Sequence, residues 1–136
     1  MGRILGVDYG DSRIGLALSD DTKSIAFPLK TIKNKNIDFV LDFFKKLNLE
    51  KNIESIVIGL PLGMHGKETS QTVKVRIFSK SIRTLGIPIF FQDERLTSIS
   101  AKKILMKKNI KTGHNKEKID EIAATIFLQQ FLDINN

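Results

Sequence analysis

The apolar and polar positions of this chain form two kinds of pattern, short apolar runs and longer amphipathic segments. Apolar runs bounded by Gly, Pro, Asn or Asp predict strands at residues 1–8, 13–19, 24–31, 55–60 and 87–91. Apolar residues spaced three and four apart predict helices at residues 37–49, 69–85, about 98–108, and from about 116 onward. This order predicts one α/β domain over residues 1–136, with a mixed central β-sheet of about five strands and α-helices packed on it.

Individual positions refine this prediction. Pro28 places the third strand at a sheet edge, because proline cannot donate a ladder hydrogen bond. The wholly apolar runs at 55–60 and 87–91 are typical of strands buried on both faces. The predicted core stripe of the second helix is Gln71, Val75, Phe78, Ile82 and Leu85. The predicted core stripe of the last helix is Ile119, Ile122, Ala123, Ile126 and Phe127.

Charge directs attention to polyanions. The formal net charge is +7 and the isoelectric point is about 9.7, a balance that favours nucleic-acid partners. Basic side chains occupy one side of the second helix and much of the third. Those expected to contact phosphates are Lys74, Arg76, Lys80, Arg83, Lys102, Lys103, Lys107 and Lys108. Aromatic residues make up only 7% and are mostly Phe at core-like positions, which favours recognition of backbone and shape over individual bases.

The absence of certain residue types and segments narrows the class of protein. The chain has no Cys, so neither a disulfide framework nor a thiolate metal site is expected, and a reducing, cytoplasmic location is the default. No apolar run approaches the ~20 residues of a membrane helix, and no signal-peptide pattern is present. We therefore expect a cytoplasmic protein with no membrane partner, either monomeric or homodimeric.

The first candidate for chemistry is Asp8, within the stretch GVDYGDSRIG. It ends an apolar run and is flanked by Gly6, Gly10 and Gly15. The stretch allows a phosphate-cradling loop, a plain hairpin turn or a carboxylate presented to a metal. The glycine spacing excludes a dinucleotide fingerprint, and the lack of Gly-Lys-Ser/Thr excludes a P-loop. A turn and a metal ligand remain.

Acidic residues later in the chain could form a site together with Asp8. Asp93 and Glu94 follow a predicted strand, and since neighbouring strand residues point to opposite faces, one of them would face Asp8. Asp120 lies at the border of the last helix's apolar stripe, with Glu121 pointing away from it. Solvated loop acids and favourable charges at a helix N-terminus are the alternative explanations.

The donor set determines which metal to expect. Carboxylate oxygens without Cys suit Mg²⁺ or Mn²⁺ rather than zinc, and His65 and His114 fall in separate loops. Two such ions held by carboxylates can activate water and stabilise the leaving oxygen in phosphodiester hydrolysis.

Four ordered motifs resemble the YqgF/RuvX family of the RNase H-like superfamily, which includes the RuvC Holliday-junction resolvases. They are GVDYGDSRIGLALSD, IGLPLGMHG, QDERLTSISA and IDEIAATIFLQQFLD, and together they span essentially the whole chain. The resemblance implies an RNase H-like sheet flanked by helices, with acids around a divalent metal. It also implies a cytoplasmic nuclease that processes the 5′ end of precursor 16S ribosomal RNA during ribosome biogenesis, or a Holliday-junction resolvase.

The resemblance also assigns residues. Asp8 matches the first-strand acid, Glu94 the acid of the DERLT motif and Asp120 the acid of the C-terminal helix, with Asp93 a less certain member. Basic and polar positions of the same motifs, expected to bind substrate or support the site, are Arg13, Arg95 and Thr97.

Two segments depart from the family pattern. HNKEKID interrupts the usual basic cluster before the last helix, and LGMHGKE differs from the usual loop. Both changes affect substrate contacts rather than the acids. A non-catalytic RNA-binding ribosome-assembly factor remains a rival hypothesis. A nucleotide-binding domain of the actin and sugar-kinase type is disfavoured, because 136 residues cannot supply its paired domains.

Overall fold

The computed structural model of the protein describes residues 2–94 and 116–135. Its strands are β1 (Arg3–Tyr9), β2 (Arg13–Ser19), β3 (Ala26–Lys33), β4 (Ile53–Leu60) and β5 (Ile89–Asp93). Its helices are α1 (Ile37–Lys51), α2 (Ser70–Ile82) and α3 (Lys116–Ile134). The helix predicted at 98–108 and the loop after it lie outside the described residues. Within the described ranges, no helix combines the length and apolar character that crossing a bilayer requires.

The strands form one mixed sheet in the order β3-β2-β1-β4-β5. β1 pairs antiparallel with β2 and β2 antiparallel with β3, whereas the β1–β4 and β4–β5 pairs are parallel. This arrangement confirms the predicted five-stranded mixed sheet and the edge position of the strand that carries Pro28. The prediction that the 87–91 run is buried on both faces is wrong, because β5 is the other edge of the described sheet and Phe90 is 46% exposed.

Alternation along the strands divides the core into two layers. In β1, Leu5 and Val7 pack with α1 and α2, while Ile4 packs with α3 on the opposite face. The first layer includes Phe44 of α1 and Phe78 of α2. Asp8 shares the even-numbered face of β1 with Ile4, so its side chain projects toward the α3 side.

Each of the first two helices begins at a residue whose side chain accepts a backbone hydrogen bond. Asn36 caps α1 by accepting from the Phe39 N–H, and Thr69 caps α2 in a reciprocal capping box with Thr72. A short 3₁₀ turn follows α2 and ends at Gly86, which has a positive φ of 75°. These signals account for helix bounds that agree closely with the sequence prediction.

The buried stripe of α3 is rotated from the predicted one. Ala123 and Phe127 are buried as predicted, whereas Ile119, Ile122 and Ile126 are only half-buried. The other fully covered positions of the helix are Ala124, Leu128 and Leu132. Asp120 and Glu121 precede Ala124 by four and three residues, so both lie on the sheet-facing side. The prediction that Glu121 points away is therefore wrong, and its carboxylate accepts a hydrogen bond from Thr31 at 3.2 Å.

Small residues in the sheet allow α3 to approach closely. A Cβ on Gly6 would lie 3.0 Å from Leu128 Cβ, and one on Gly15 would overlap the backbone of Asp120. A Cβ on Gly59 would lie 2.6 Å from the Phe127 ring and would overlap the Glu94 carboxylate. Three glycines on neighbouring strands thus form the surface on which α3 rests, and two of them adjoin predicted site residues.

Candidate functional site

Three carboxylates from distant parts of the chain line one cavity of about 350 Å³. Asp8 lies near the end of β1, Glu94 follows β5 directly, and Asp120 lies in the second turn of α3. The cavity therefore contains all three acids that the sequence nominated as catalytic and metal-binding residues.

Sheet topology brings the first two acids together. β1, β4 and β5 are mutually parallel, so their carboxyl ends meet at one edge of the sheet. The Glu94 N–H donates to the Leu60 carbonyl at 3.3 Å, which extends the pairing one residue beyond β5. Glu94 thereby shares a face with Phe90, whose ring contacts Phe131 of α3 at 5.6 Å between centroids. Asp93 has the opposite orientation and is not among the described residues that line the cavity, as strand alternation predicts.

The third acid is oriented by an arginine. Arg13 Nε donates to Asp120 Oδ2 at 3.0 Å, and both side chains are partly exposed, at 35% and 24%. Arg13 is the first residue of β2 and also lines the cavity. Because Gly15 has no side chain, the first turns of α3 can sit directly on β2, and this contact brings Asp120 within reach of Arg13.

Burial, and secondarily the neighbouring acids, shifts the protonation of Asp8 and Glu94. Burial raises the pKa of Asp8 well above its ordinary value, and the charges of Glu94 and Asp120 and a hydrogen bond with Glu94 raise it further. Burial also raises the pKa of Glu94, as does the charge of Asp93, although the hydrogen bond with Asp8 acts in the opposite direction. Asp8 and Glu94 are therefore a half-buried, hydrogen-bonded carboxyl pair, an arrangement that is characteristic of functional sites.

These acids fit a hard divalent cation in chemistry and in charge. The donors are carboxylate oxygens, and their mutual repulsion is what a cation would relieve. Across residues 2–94 and 116–135, however, no three Asp, Glu or His side chains lie close enough together to hold one metal ion. Asp8 and Glu94 thus provide a closely placed pair, while Asp120 shares their cavity and is held by Arg13.

The predicted phosphate contacts have diverse environments. Arg76 forms two hydrogen bonds with Glu68, at 2.7 and 3.2 Å, and lies over the Phe91 ring. Lys74 pairs with Asp11 at 3.2 Å, whereas Lys80 and Arg83 are exposed. The remaining predicted contacts lie outside the described residues: Arg95, Thr97, Lys102, Lys103, Lys107 and Lys108.

Among the described residues of the cavity lining, sequence reasoning did not assign several to the site and misplaced one in the core. Tyr9, Asp11 and Ser12 line it together with the acids. Gln71, predicted in the core stripe of α2, also lines it, while its neighbour Thr72 is fully buried and donates to the Pro61 carbonyl. A polar residue at the first turn of an apolar stripe was the signal that could have identified Gln71. His65 is exposed in a 3₁₀ turn after β4, which agrees with its predicted loop position.

Known proteins resemble this chain in sequence over nearly its full length. A family model described as RuvX, Holliday junction resolvase, matches residues 2–134. A protein of Roseiflexus sp. (strain RS-1) named "putative pre-16S rRNA nuclease" is 41% identical over 133 residues, covering 97% of this chain and 94% of that protein. A protein of Moorella thermoacetica with the same name is 37% identical over 132 residues, covering 96% and 94%.

Solved structures resemble it in fold. The RuvC of T. thermophilus in complex with a Holliday junction substrate aligns with a TM-score of 0.62 at 12% identity, covering 99% of this chain and 96% of that one. The Fowlpox virus resolvase in complex with Holliday junction DNA aligns with a TM-score of 0.60 at 11% identity, covering 98% of each. At this identity the likeness concerns the fold, which is the RNase H-like sheet expected from the sequence.

Proposed function

This chain belongs to the RuvX family, and from that membership and its acid-lined cavity we propose that it is a metal-dependent nuclease acting on precursor 16S ribosomal RNA. The observation that carries the proposal is that Asp8, Glu94 and Asp120 line one cavity at the carboxyl edge of an RNase H-like sheet. Fold alone would not suffice, because function resides in the site.

The substrate assignment is supported by relatives and by charge. Relatives 41% and 37% identical carry the name of a pre-16S rRNA nuclease, and a net charge of +7 suits a polyanionic substrate. We assign the reaction to hydrolysis at the 5′ end of the precursor during ribosome biogenesis, in the cytoplasm where that RNA is made.

The residues divide into three roles. Asp8 and Glu94, with Asp120, would hold Mg²⁺ or Mn²⁺, which supplies activation of water and stabilisation of the leaving oxygen. Arg13 orients Asp120 and offers its remaining guanidinium N–H groups to a phosphate oxygen at the cavity. Lys80 and Arg83 provide exposed positive charge for phosphates beyond it.

Cleavage of a precursor rRNA fragment tests this function. Wild-type protein should cut it with Mg²⁺ or Mn²⁺ and not with EDTA, and Asp8→Asn and Glu94→Gln should each lose nearly all cleavage. Asp11→Asn is the matched control, because Asp11 lines the same cavity but is 60% exposed and paired with Lys74. Equal cleavage by all samples would show that the activity lies elsewhere. Salt-sensitive binding that survives Asp8→Asn, without cleavage under any metal, would identify a non-catalytic RNA-binding factor instead.

Junction DNA is the second candidate substrate. It is favoured by the description of the matching family as Holliday junction resolvases. A synthetic four-way junction and the rRNA fragment, incubated with the same preparation, give the comparison. Faster cutting of the junction would reassign the substrate while leaving the three acids in their roles.

A further inference from the structure

A second cavity, also of about 350 Å³, lies on the other side of β1 from the acids. Tyr9, Asn34, Asn36, Ile37, Ile77 and Phe78 contribute to its walls. Its volume falls within the range of about 300–1,000 Å³ that is usual for small-molecule sites. Neither the fold nor the proposed chemistry accounts for it.

Two features join this cavity to the acid-lined one. Tyr9 is the residue after Asp8 and lines both cavities. Lys74 lines the second cavity, and its Nζ contacts Asp11 of the first at 3.2 Å. One ligand large enough to occupy both would therefore cross the end of β1, with an anionic part near Lys74 and Arg13.

The apolar walls suit a flat aromatic group. The half-buried Tyr9 ring packs on the buried Phe78 ring, with 4.4 Å between centroids and 33° between planes, so Tyr9 provides the accessible aromatic surface. Ile77 of α2 is 59% exposed and Ile37 of α1 is 38% exposed, so both offer apolar surface at the cavity. Planar bases gain affinity from this kind of aromatic and apolar surface.

The polar walls suit the edge of a base. Asn34 Nδ2 donates to the Gly10 carbonyl at 2.9 Å, and its Oδ1 has no partner among the described residues. Asn36 Oδ1 accepts from the Phe39 N–H at 2.8 Å, and its Nδ2 likewise has no partner in the described ranges. The cavity thus has one amide acceptor and one amide donor to offer, the pair of groups that nucleobase edges complement.

We propose that this second cavity binds one unpaired nucleobase of the strand whose phosphate lies at the acids. The proposal rests on the proposed function, and it refines the substrate to one with an unstacked nucleotide beside the cleaved bond. It also modifies the expectation of pure backbone recognition that the low aromatic content suggested.

Binding of RNA in EDTA tests the proposal without cleavage. The probe is a short single-stranded RNA carrying 2-aminopurine at each position in turn, compared with a duplex of the same length. The variant is Ile77→Glu, and the control is Val73→Glu, an equal change at a 50% exposed position of α2 outside the cavity. Thermal melting of both variants checks that they fold.

The expected result is selective. Wild type and Val73→Glu should alter 2-aminopurine fluorescence at one position, and Ile77→Glu should abolish the change and weaken single-strand binding about tenfold. Duplex binding should fall equally in both variants, because each adds one negative charge. Equal loss of single-strand binding in the two variants, or no fluorescence change at any position with wild type, would overturn the proposal. Failure of the proposed function would look different, since wild type would then leave the rRNA fragment uncut whatever the probe showed.

Discussion

At the scale of the residue, the carboxyl groups of Asp8 and Glu94 suit a bound cation but lower the stability of the metal-free fold. Both groups are half-buried, and each charged form is disfavoured by desolvation and by neighbouring acids. A sequence selected only for stability would not retain this arrangement, because an apolar or amide side chain would avoid the repulsion. A contribution to stability therefore does not explain the pair, which is consistent with the proposed metal-binding role.

The first prediction concerns pH and the metal-free protein. Because the pKa of Asp8 is raised in the folded state, its stabilising contribution is complete below the unfolded value of about 3.8 and is lost as pH rises through the folded pKa. At neutral pH in EDTA, Asp8→Asn should therefore raise Tm by a few degrees. Thermal melts from pH 4 to 8 should show a shallower decline for the variant than for wild type. Asp11→Asn, the exposed control, should have the same pH dependence of Tm as wild type. A lower Tm for Asp8→Asn than for wild type at pH 7 would contradict the interpretation that the carboxyl pair destabilises the metal-free protein.

The second prediction concerns metal addition. A cation that binds only the folded state stabilises it by about 2.7 kcal/mol at a hundred times its dissociation constant. Saturating Mg²⁺ or Mn²⁺ should accordingly raise the Tm of wild type, since it also relieves the repulsion between the acids. The same addition should leave the Tm of Asp8→Asn nearly unchanged. With metal, wild type should then have the higher Tm, the reverse of the order expected in EDTA. Calorimetry with and without metal gives the measurement, and parallel shifts in both proteins would place the bound metal elsewhere.

At the scale of the element, helix α3 depends on side chains that are missing from the sheet. Gly6, Gly15 and Gly59 each stand where a Cβ would meet α3 or the Glu94 side chain. The buried side of the helix includes two small residues, Ala123 and Ala124. Close backbone approach is therefore what positions Asp120 at the acid cavity.

Sequence reasoning succeeded for local patterns and failed where tertiary packing decides the structure. Strand alternation predicted that only one of Asp93 and Glu94 would face Asp8, because a period of two is a local property, and the motif resemblance chose Glu94. The stripe of α3 was misassigned because apolar spacing alone favours Ile119, Ile122 and Ile126, whereas the face that rests on the sheet carries Ala124, Leu128 and Leu132. The Arg13–Asp120 pair joins residues 107 positions apart, and the cavity walls of Tyr9 and Gln71 likewise arise from tertiary packing. The motif resemblance nominated the three acids, but no local pattern could show that they share one cavity.

The third prediction tests the close approach itself. Gly15→Ala should lower the free energy of unfolding by about 1–3 kcal/mol, as overpacking does, because its Cβ overlaps the backbone of Asp120. Cleavage should fall as well, since the first turns of α3 must shift. Gly63→Ala is the control, because its Cβ would lie 3.0 Å from the Thr69 methyl, a contact that a shift of a few tenths of an ångström relieves. Denaturant unfolding of both variants measures the difference, and equal effects would argue against a special contact at Gly15.

At the scale of the whole molecule, some basic side chains in the described part of the chain form ion pairs with acids and others do not. The net charge is +7, yet several cations of the described surface are bound to acids, including Arg76 by Glu68 and Lys74 by Asp11. Lys80 and Arg83, on the same helix and the 3₁₀ turn after it, are exposed. Cations already held by an acid have less to gain from a phosphate, so the exposed ones should account for more of the nucleic-acid affinity.

The fourth prediction separates these cations from the general charge. Each phosphate contact contributes about −0.7 to the slope of log K against log salt for a single strand. The double variant Lys80→Gln, Arg83→Gln should therefore bind single-stranded RNA more weakly, with a slope about 1.4 shallower than wild type if both residues contact phosphates. Lys45→Gln, Lys46→Gln removes the same charge from exposed positions of α1 and should leave the slope nearly unchanged. Titrations in EDTA at several salt concentrations measure both slopes. Equal reductions in the two double variants would mean that net charge, rather than the surface around α2, governs binding.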